Sequence, residues 1–295
     1  MSLLRFRSTP TPAEAPLAAF LQGHSIEVMP RTAEKIADLR ALLPAGSRVY
    51  IAHIQGTDTR DMLRTAARLR ADGLIPMPHL PARVIPDRAT LADLLARYRG
   101  EADVREALLL GGSPTRPAGD FHCAMDLLDT GLLDDFERLH IAGHPEGNRD
   151  IAPGGGEEVL MAALRRKADW AARAGIPMAI VTQFAFDAAP IIAWDRRLRA
   201  AGLRLPVHAG LAGPAKLQTL LKFAIACGVG PSLKVLQRRA RDVTKLVTPF
   251  APTEIARALA AHQRAEPGTL IAAAHIFPLG GIQAATDWAR AHSEG

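Results

Sequence analysis

Eight short apolar runs of β type, each followed by a longer segment whose apolar residues recur at three and four, leave few folds open to this chain. The runs fall at 25–29, 48–53, 75–79, 106–110, 139–142, 178–182, 205–209 and 270–276. The helical patterns fall at 33–42, 59–71, 90–99, 124–133, 157–174, 189–201 and 214–226, with 282–291 closing. An extra helical stretch, 232–239 and 253–264, sits between the seventh and eighth runs. Strand and helix in alternation make a parallel sheet. Eight such units in 295 residues predict α/β architecture: a single (β/α)8 TIM barrel over 23–295, with extra helices between strands 7 and 8. Thr90 is a candidate N-cap, and Gly73, Gly175 and Gly202 stand just beyond helices. Residues 1–22 mix Pro, Thr, Ala and Glu without periodicity and read as a flexible N-terminal arm.

A composition of 48% hydrophobic and 22% charged residues fills such a core without a staple. Cys123 and Cys227 have neither CxxC nor metal-finger spacing, which points to a reduced, cytoplasmic compartment. With no secretory apolar region and no uninterrupted apolar stretch of ~18 residues, neither secretion nor a membrane span is expected. The net charge of +6 comes mostly from arginines scattered along helices. The densest basic run, KVLQRRARDVTK at 234–245, lacks the interleaved aromatics that stack bases, so no nucleic-acid partner is expected.

In an α/β barrel the adaptable loops converge at the carboxyl ends of the strands. At or just after those ends stand Glu27, His53 with Gln55, His79, Gly111, Gly112, Ser113, His144 with Glu146, Gln183, His208 and His275. Any one of these histidines also reads as a hydrogen-bonded packing residue. Together they raise a metal-hydrolase barrel, but the first strand has no HxH pair and there is no HExxH, so no metal is expected. The Gly111–Gly112 turn lets a planar ligand approach the backbone, although GxGxxG and GxxxxGK[ST] are both absent. No GxSxG elbow anchors covalent hydrolysis. Glu27, ending an apolar strand, is the candidate acid: desolvation there raises a carboxyl pKa and keeps it protonated. The alternative is an ion-paired glutamate at a strand end.

Several segments, in order, resemble the methylenetetrahydrofolate reductase family: IEVMPRT at 26–32, PHL at 78–80, LLLGGSP at 108–114, HPE at 144–146 and VTQFAFD at 181–187. The last is the most specific, and PVHAGLAGPAKLQTLLKFAIACGVG at 206–230 follows it at similar spacing. The resemblance implies an enzyme of one-carbon metabolism and methionine biosynthesis. Its substrate would be a folate: 5,10-methylenetetrahydrofolate and 5-methyltetrahydrofolate interconvert, with hydride from NADH or NADPH passing through FAD. By resemblance, Glu27 is the general acid that opens the folate ring, Gln183 contacts the pterin, and Phe223 packs on the aminobenzoate ring. His79, Gly111, Gly112, Ser113, His144 and Glu146 would line the flavin, with Arg166 and Lys167 on its diphosphate. The family also implies a homo-oligomer.

Two departures stand out. Ser113 falls where the family has an aspartate beside the flavin, and Gly280–Gly281 follow the last strand where the family has a folate-tail arginine. The charge lost at Ser113 opens two further readings: a flavin-independent reductase, and a methyltetrahydrofolate-binding partner of a demethylase or methyltransferase with no hydride chemistry.

Overall fold

The expected strands form and close on themselves. In a computed structural model describing residues 15–148, 150–152, 154, 156–227, 235–237 and 249–293, eight parallel strands follow chain order around a barrel. They are β1 (Ser25–Val28), β2 (Arg48–Ile51), β3 (Ile75–Pro81), β4 (Glu106–Leu110), β5 (Arg138–Gly143), β6 (Met178–Thr182), β7 (Val207–Ala212) and β8 (Ile271–Phe277). Around them lie α1 (Ala15–Leu21), α2 (Pro30–Ala33), α3 (Thr59–Ala71), α4 (Arg88–Ala102) and α5 (Ala124–Leu128). The remaining helices are α6 (Glu157–Ala174), α7 (Ala188–Ala200), α8 (Leu217–Ala226), α9 (Thr253–Ala265) and α10 (Ile282–Ser293). No helix among the described residues is long and apolar enough to cross a membrane.

Alternation along each strand decides what enters the barrel. Ile26, Val49, Ile51, Leu139, Ile141, Ile180 and Ile276 join the apolar shell under the helices, where burial stabilises by roughly 1.5–3 kcal/mol per large side chain. The alternate positions turn inward. Tyr50, Met77, Leu108 and Val181 make a small apolar group of their own, and around it stand Ser25, Glu27, His79, His140, His208 and His275. Branched aliphatic residues ordinarily fill such an interior; polar rings fill much of this one. At the amino-terminal end of the strands, Arg48 grips Glu106 with two nitrogens, Nη2 at 2.9 Å, and Arg138 Nε lies 3.4 Å away on the same carboxylate.

Helix starts follow capping chemistry. Asp58, Asp87 and Asp187 accept the backbone N–H of Arg60, Thr90 and Ala189 at 2.8, 2.7 and 3.0 Å. Thr90 is therefore not the N-cap expected of it; Asp87 caps α4 and Thr90 donates to it. Gly175 ends α6 in the left-handed region, φ 67°, as its position after the helical pattern foretold. Between α7, α9 and β8 lies a buried ionic knot. Asp195 accepts Leu270 N–H at 2.7 Å, with Arg199 Nε at 3.1 Å and His262 Nε2 at 3.3 Å.

Three expectations give way. Residues 15–21 of the supposed flexible arm form α1, whose Leu17, Phe20 and Leu21 are buried against α9 and α10; residues 1–14 lie outside the described residues. The helix expected over 33–42 is only α2, because Arg68 on α3 bonds the carbonyls of Ala33 (2.8 Å), Ile36 and Ala37 that a longer helix would use itself. The helix expected over 124–133 stops at Leu128, where the Thr130 hydroxyl takes the Leu127 carbonyl at 2.7 Å. Of the extra helices, 253–264 is α9, whereas most of 232–239 lies outside the described residues.

Candidate functional site

At the carboxyl ends of the strands a cavity of about 230 Å³ opens. Its walls include Glu27 from β1, His79 from β3, Gly111 and Gly112 after β4, His144 after β5, Gln183 after β6, and His275 and Phe277 from β8. Every one comes from the rim at which this fold builds sites.

Glu27 is the most tightly governed of them. His79 Nε2 lies 3.2 Å from Glu27 Oε2, and His275 Nε2 approaches the same oxygen at 3.9 Å. Burial pushes the carboxyl pKa up, but the nearby His275 and His79 imidazoles outweigh it and hold Glu27 down to about 2. The expectation of a protonated Glu27 is thus corrected. The apolar strand supplies the desolvation, as anticipated, yet two imidazoles from distant strands reverse its effect. His275 is itself pushed down by burial, against the pull of Glu27, and its Nδ1 is 2.9 Å from Ser25 Oγ.

Gln183 stands where β6 ends. Its Oε1 accepts the N–H of Phe184 at 3.0 Å, which leaves the amide NH₂ as the group to donate. Gly210 on β7 makes this placement possible. A Cβ there would sit 2.5 Å from Thr182 O and 2.7 Å from Gln183 O, so only glycine lets β7 pass this close. Thr182 Oγ1 accepts the Gly210 N–H at 2.8 Å and locks the two strand ends together. Across the cavity Gly112 adopts φ 92° with Pro81 directly beneath it.

The other sequence candidates divide. Ser113 is exposed and does not reach the cavity. Glu146 is partly buried behind His144 without lining the wall. Lys167 and Arg166 are neighbours on α6 yet face different surroundings: Arg166 meets Asp129 on the exposed surface at 3.5 Å, while Lys167 turns toward His144. Burial, with the Lys167 charge adding to it, lowers His144 to about 4 and keeps its ring neutral. Burial lowers Lys167 as well. Phe223 is half-buried on α8 and packs in the aromatic and aliphatic cluster of Phe184, Phe186 and Phe250 that also includes Phe277 of the cavity wall.

Two wall residues carried no signal of their own in the sequence. Phe277 sits two positions beyond His275, so strand alternation would have found it. Arg83 follows β3 in a short turn, and its guanidinium ties the neighbouring loops by bonding the carbonyls of His122 at 2.9 Å and Pro114 at 3.2 Å. Only that tertiary role distinguishes it from the many other arginines. The one triplet with metal-ligand spacing among the described residues, Asp195, His262 and Glu266, lies elsewhere, and Arg199 occupies it as an ion-pair partner.

No family model matches the chain. Among solved structures it superimposes on an uncharacterized protein from Clostridium thermocellum that binds two copies of 5-methyl-5,6,7,8-tetrahydrofolic acid. The TM-score is 0.59 at 12% identity, covering 93% of this chain and 97% of that one. The carboxyl transferase domain of Rhizobium etli pyruvate carboxylase gives a TM-score of 0.37 at 12% identity, over 92% of this chain and 55% of that one. A D-hydantoinase gives 0.33 at 11%, over 68% and 41%. At 12% identity the likeness to the Clostridium thermocellum protein is one of fold.

Proposed function

We propose that the cavity takes the pterin end of a reduced folate and that the chain interconverts 5,10-methylenetetrahydrofolate and 5-methyltetrahydrofolate, with hydride exchanged with NADH or NADPH. The observation that carries this reading is the meeting of Glu27, His79 and Gln183 at one cavity. The barrel's likeness to a methyltetrahydrofolate-binding protein adds support. In the reductive direction the bridging carbon must first lose its bond to one folate nitrogen. That nitrogen gains a proton, the remaining nitrogen carries a cationic iminium, and hydride then converts the iminium to a methyl group.

The chain's residues suit those demands separately. His79, 3.2 Å from Glu27, is placed at the cavity to give the proton. Glu27, ionised, places a negative charge beside the developing iminium. It thereby replaces the charge lost at Ser113. The Gln183 amide donates to a pterin acceptor. An FAD intermediary is what the resemblance implies, but the residues fit it poorly. Ser113 is exposed, and Arg166 is paired outward with Asp129. Direct transfer from the nicotinamide is the arrangement these residues favour.

Calorimetric titration with 5-methyltetrahydrofolate, an absorbance spectrum of the purified protein and an assay of nicotinamide oxidation with the methylene substrate test this together. Binding with turnover in a colourless preparation is expected. A yellow protein would restore the flavin route. Binding without nicotinamide oxidation would make the chain a folate-binding partner of a methyl-transferring enzyme, and absence of folate binding would end the reading.

A further inference from the structure

Four histidine ring nitrogens, His79 Nε2, His140 Nε2, His208 Nδ1 and His275 Nε2, are buried without a hydrogen-bond partner among the described residues. An orphaned polar group of this kind is costly when dry, and buried water ordinarily relieves it. Groups with exchangeable protons lie between these nitrogens. His275 Nε2 faces Glu27 at 3.9 Å, and His275 Nδ1 is 2.9 Å from Ser25 Oγ, its register partner across the β1–β8 seam. The Tyr50 hydroxyl faces Ser25 on one side and is hydrogen-bonded to His140 Nδ1 on the other. His140 packs edge-on against His208, ring centroids 4.8 Å apart. Beyond them the Arg48–Glu106–Arg138 cluster closes the end of the barrel opposite the cavity, its two arginines partly exposed.

We infer that these groups form a proton relay through the barrel. It would run from the Glu27–His79 pair through His275, Ser25, Tyr50 and His140 to water held by His140 Nε2 and His208 Nδ1 above the arginine floor. The need for it rests on the folate reading: a ligand in the cavity covers Glu27 and His79, so a proton given to it must be restored from within. Only protons move. The His275 Nε2–H bond breaks as an O–H bond forms on Glu27, His275 Nδ1 takes the Ser25 proton, Ser25 takes that of Tyr50, and Tyr50 takes that of His140 Nδ1. His140 Nε2 is then protonated by the water beside it. One proton has crossed, and no electron pair has left any group.

The surroundings suit transit. Tyr50 is faced by Arg48, Glu106, Glu27 and Ser25, and burial pushes its phenol well above the usual range, so it stays neutral as both donor and acceptor. Burial lowers His140, next to His208, Arg48, Arg138 and His275. It lowers His208 to about 4, next to His275, Arg48 and Arg138. His275, faced by Glu27 and His79 and near His24, is lowered in the same way. Neutral imidazoles can accept on one nitrogen while donating from the other.

The test uses the full chain with ¹⁵N-labelled histidine. In the ligand-free protein, His275 is expected to show a single neutral tautomer protonated on Nε2, and His140 one protonated on Nδ1. Tyr50→Phe is expected to release His140 from it, and Ser25→Ala to release His275. A crystal structure is expected to show ordered water bonded to His140 Nε2 and His208 Nδ1. A dry interior, or tautomers that neither variant moves, overturns the relay whatever the cavity binds. With 5-methyltetrahydrofolate bound, the His79 ring proton is expected to exchange with deuterated solvent roughly tenfold more slowly in Tyr50→Phe than in the unaltered protein. Equal rates in that state overturn the relay. Failure of the folate to bind overturns the ligand reading instead, and the tautomers and waters then decide the relay alone.

Discussion

His79 Nε2 lies 3.2 Å from Glu27 Oε2, and the imidazole of His275 closes on the same oxygen from the far side of the barrel seam. A carboxylate answered from two strands cannot also be the reservoir of the proton it shares. Donor and anion become different residues, which is the arrangement a reaction passing through a cation requires.

Both members of that pair should therefore matter to chemistry. Glu27→Gln and His79→Gln are each expected to cut folate turnover by roughly 10²–10⁴-fold, with circular dichroism unchanged. Steady-state kinetics of the two variants check this. A His79→Gln protein with undiminished turnover would return the acid role to Glu27 alone.

Acid should weaken the fold well before the carboxylates titrate. His144 and His208 are both lowered to about 4 from an ordinary value of 6.5, so the native state binds fewer protons than the unfolded chain between those limits. Their contribution is complete above pH 6.5 and is lost as pH falls toward 4; each is worth up to about 3 kcal/mol. Urea unfolding at pH 7, 5.5 and 4 is expected to show that decline, and His208→Leu is expected to flatten it.

Asp195 is fully buried and answers Leu270 N–H, Arg199 and His262 at once. Asp195→Ala leaves those groups without their acceptor and is expected to cost about 3–5 kcal/mol. Chemical denaturation reads this out, and Asp195→Asn should recover part of the loss by keeping the bond to Leu270.

Gly210→Ala places a methyl group 2.5 Å from Thr182 O. The strands must part, at an expected cost of about 1–3 kcal/mol in stability. Because Gln183 sits on the displaced segment, ligand affinity is expected to fall as well, which thermal melts and calorimetry would show together.

How far the sequence reveals this molecule depends on the distance over which each feature is decided. Strands and long helices follow from local periodicity, and α3, α6 and β4 lie where their patterns put them. The short α2 escapes such a reading because Arg68, on another helix, takes the carbonyls that would have continued it. The same holds at the site. Glu27, His79 and Gln183 are each legible at a strand end, but the charge state of Glu27 is fixed by imidazoles brought from β3 and β8. Arg166 and Lys167 are adjacent, so only the rotation of α6 tells which of them meets the site and which meets water.

The Ser25–His275 bond links positions 250 residues apart. A nascent chain carries Glu27 long before β8 and gives it its second imidazole only when β8 arrives. Until then the sheet is an open crescent and the carboxyl lies in the gap. Arrival of β8 and maturation of the pocket are thus one event, and a ribosome-stalled fragment ending before Ile271 is expected to carry no ligand-ready rim.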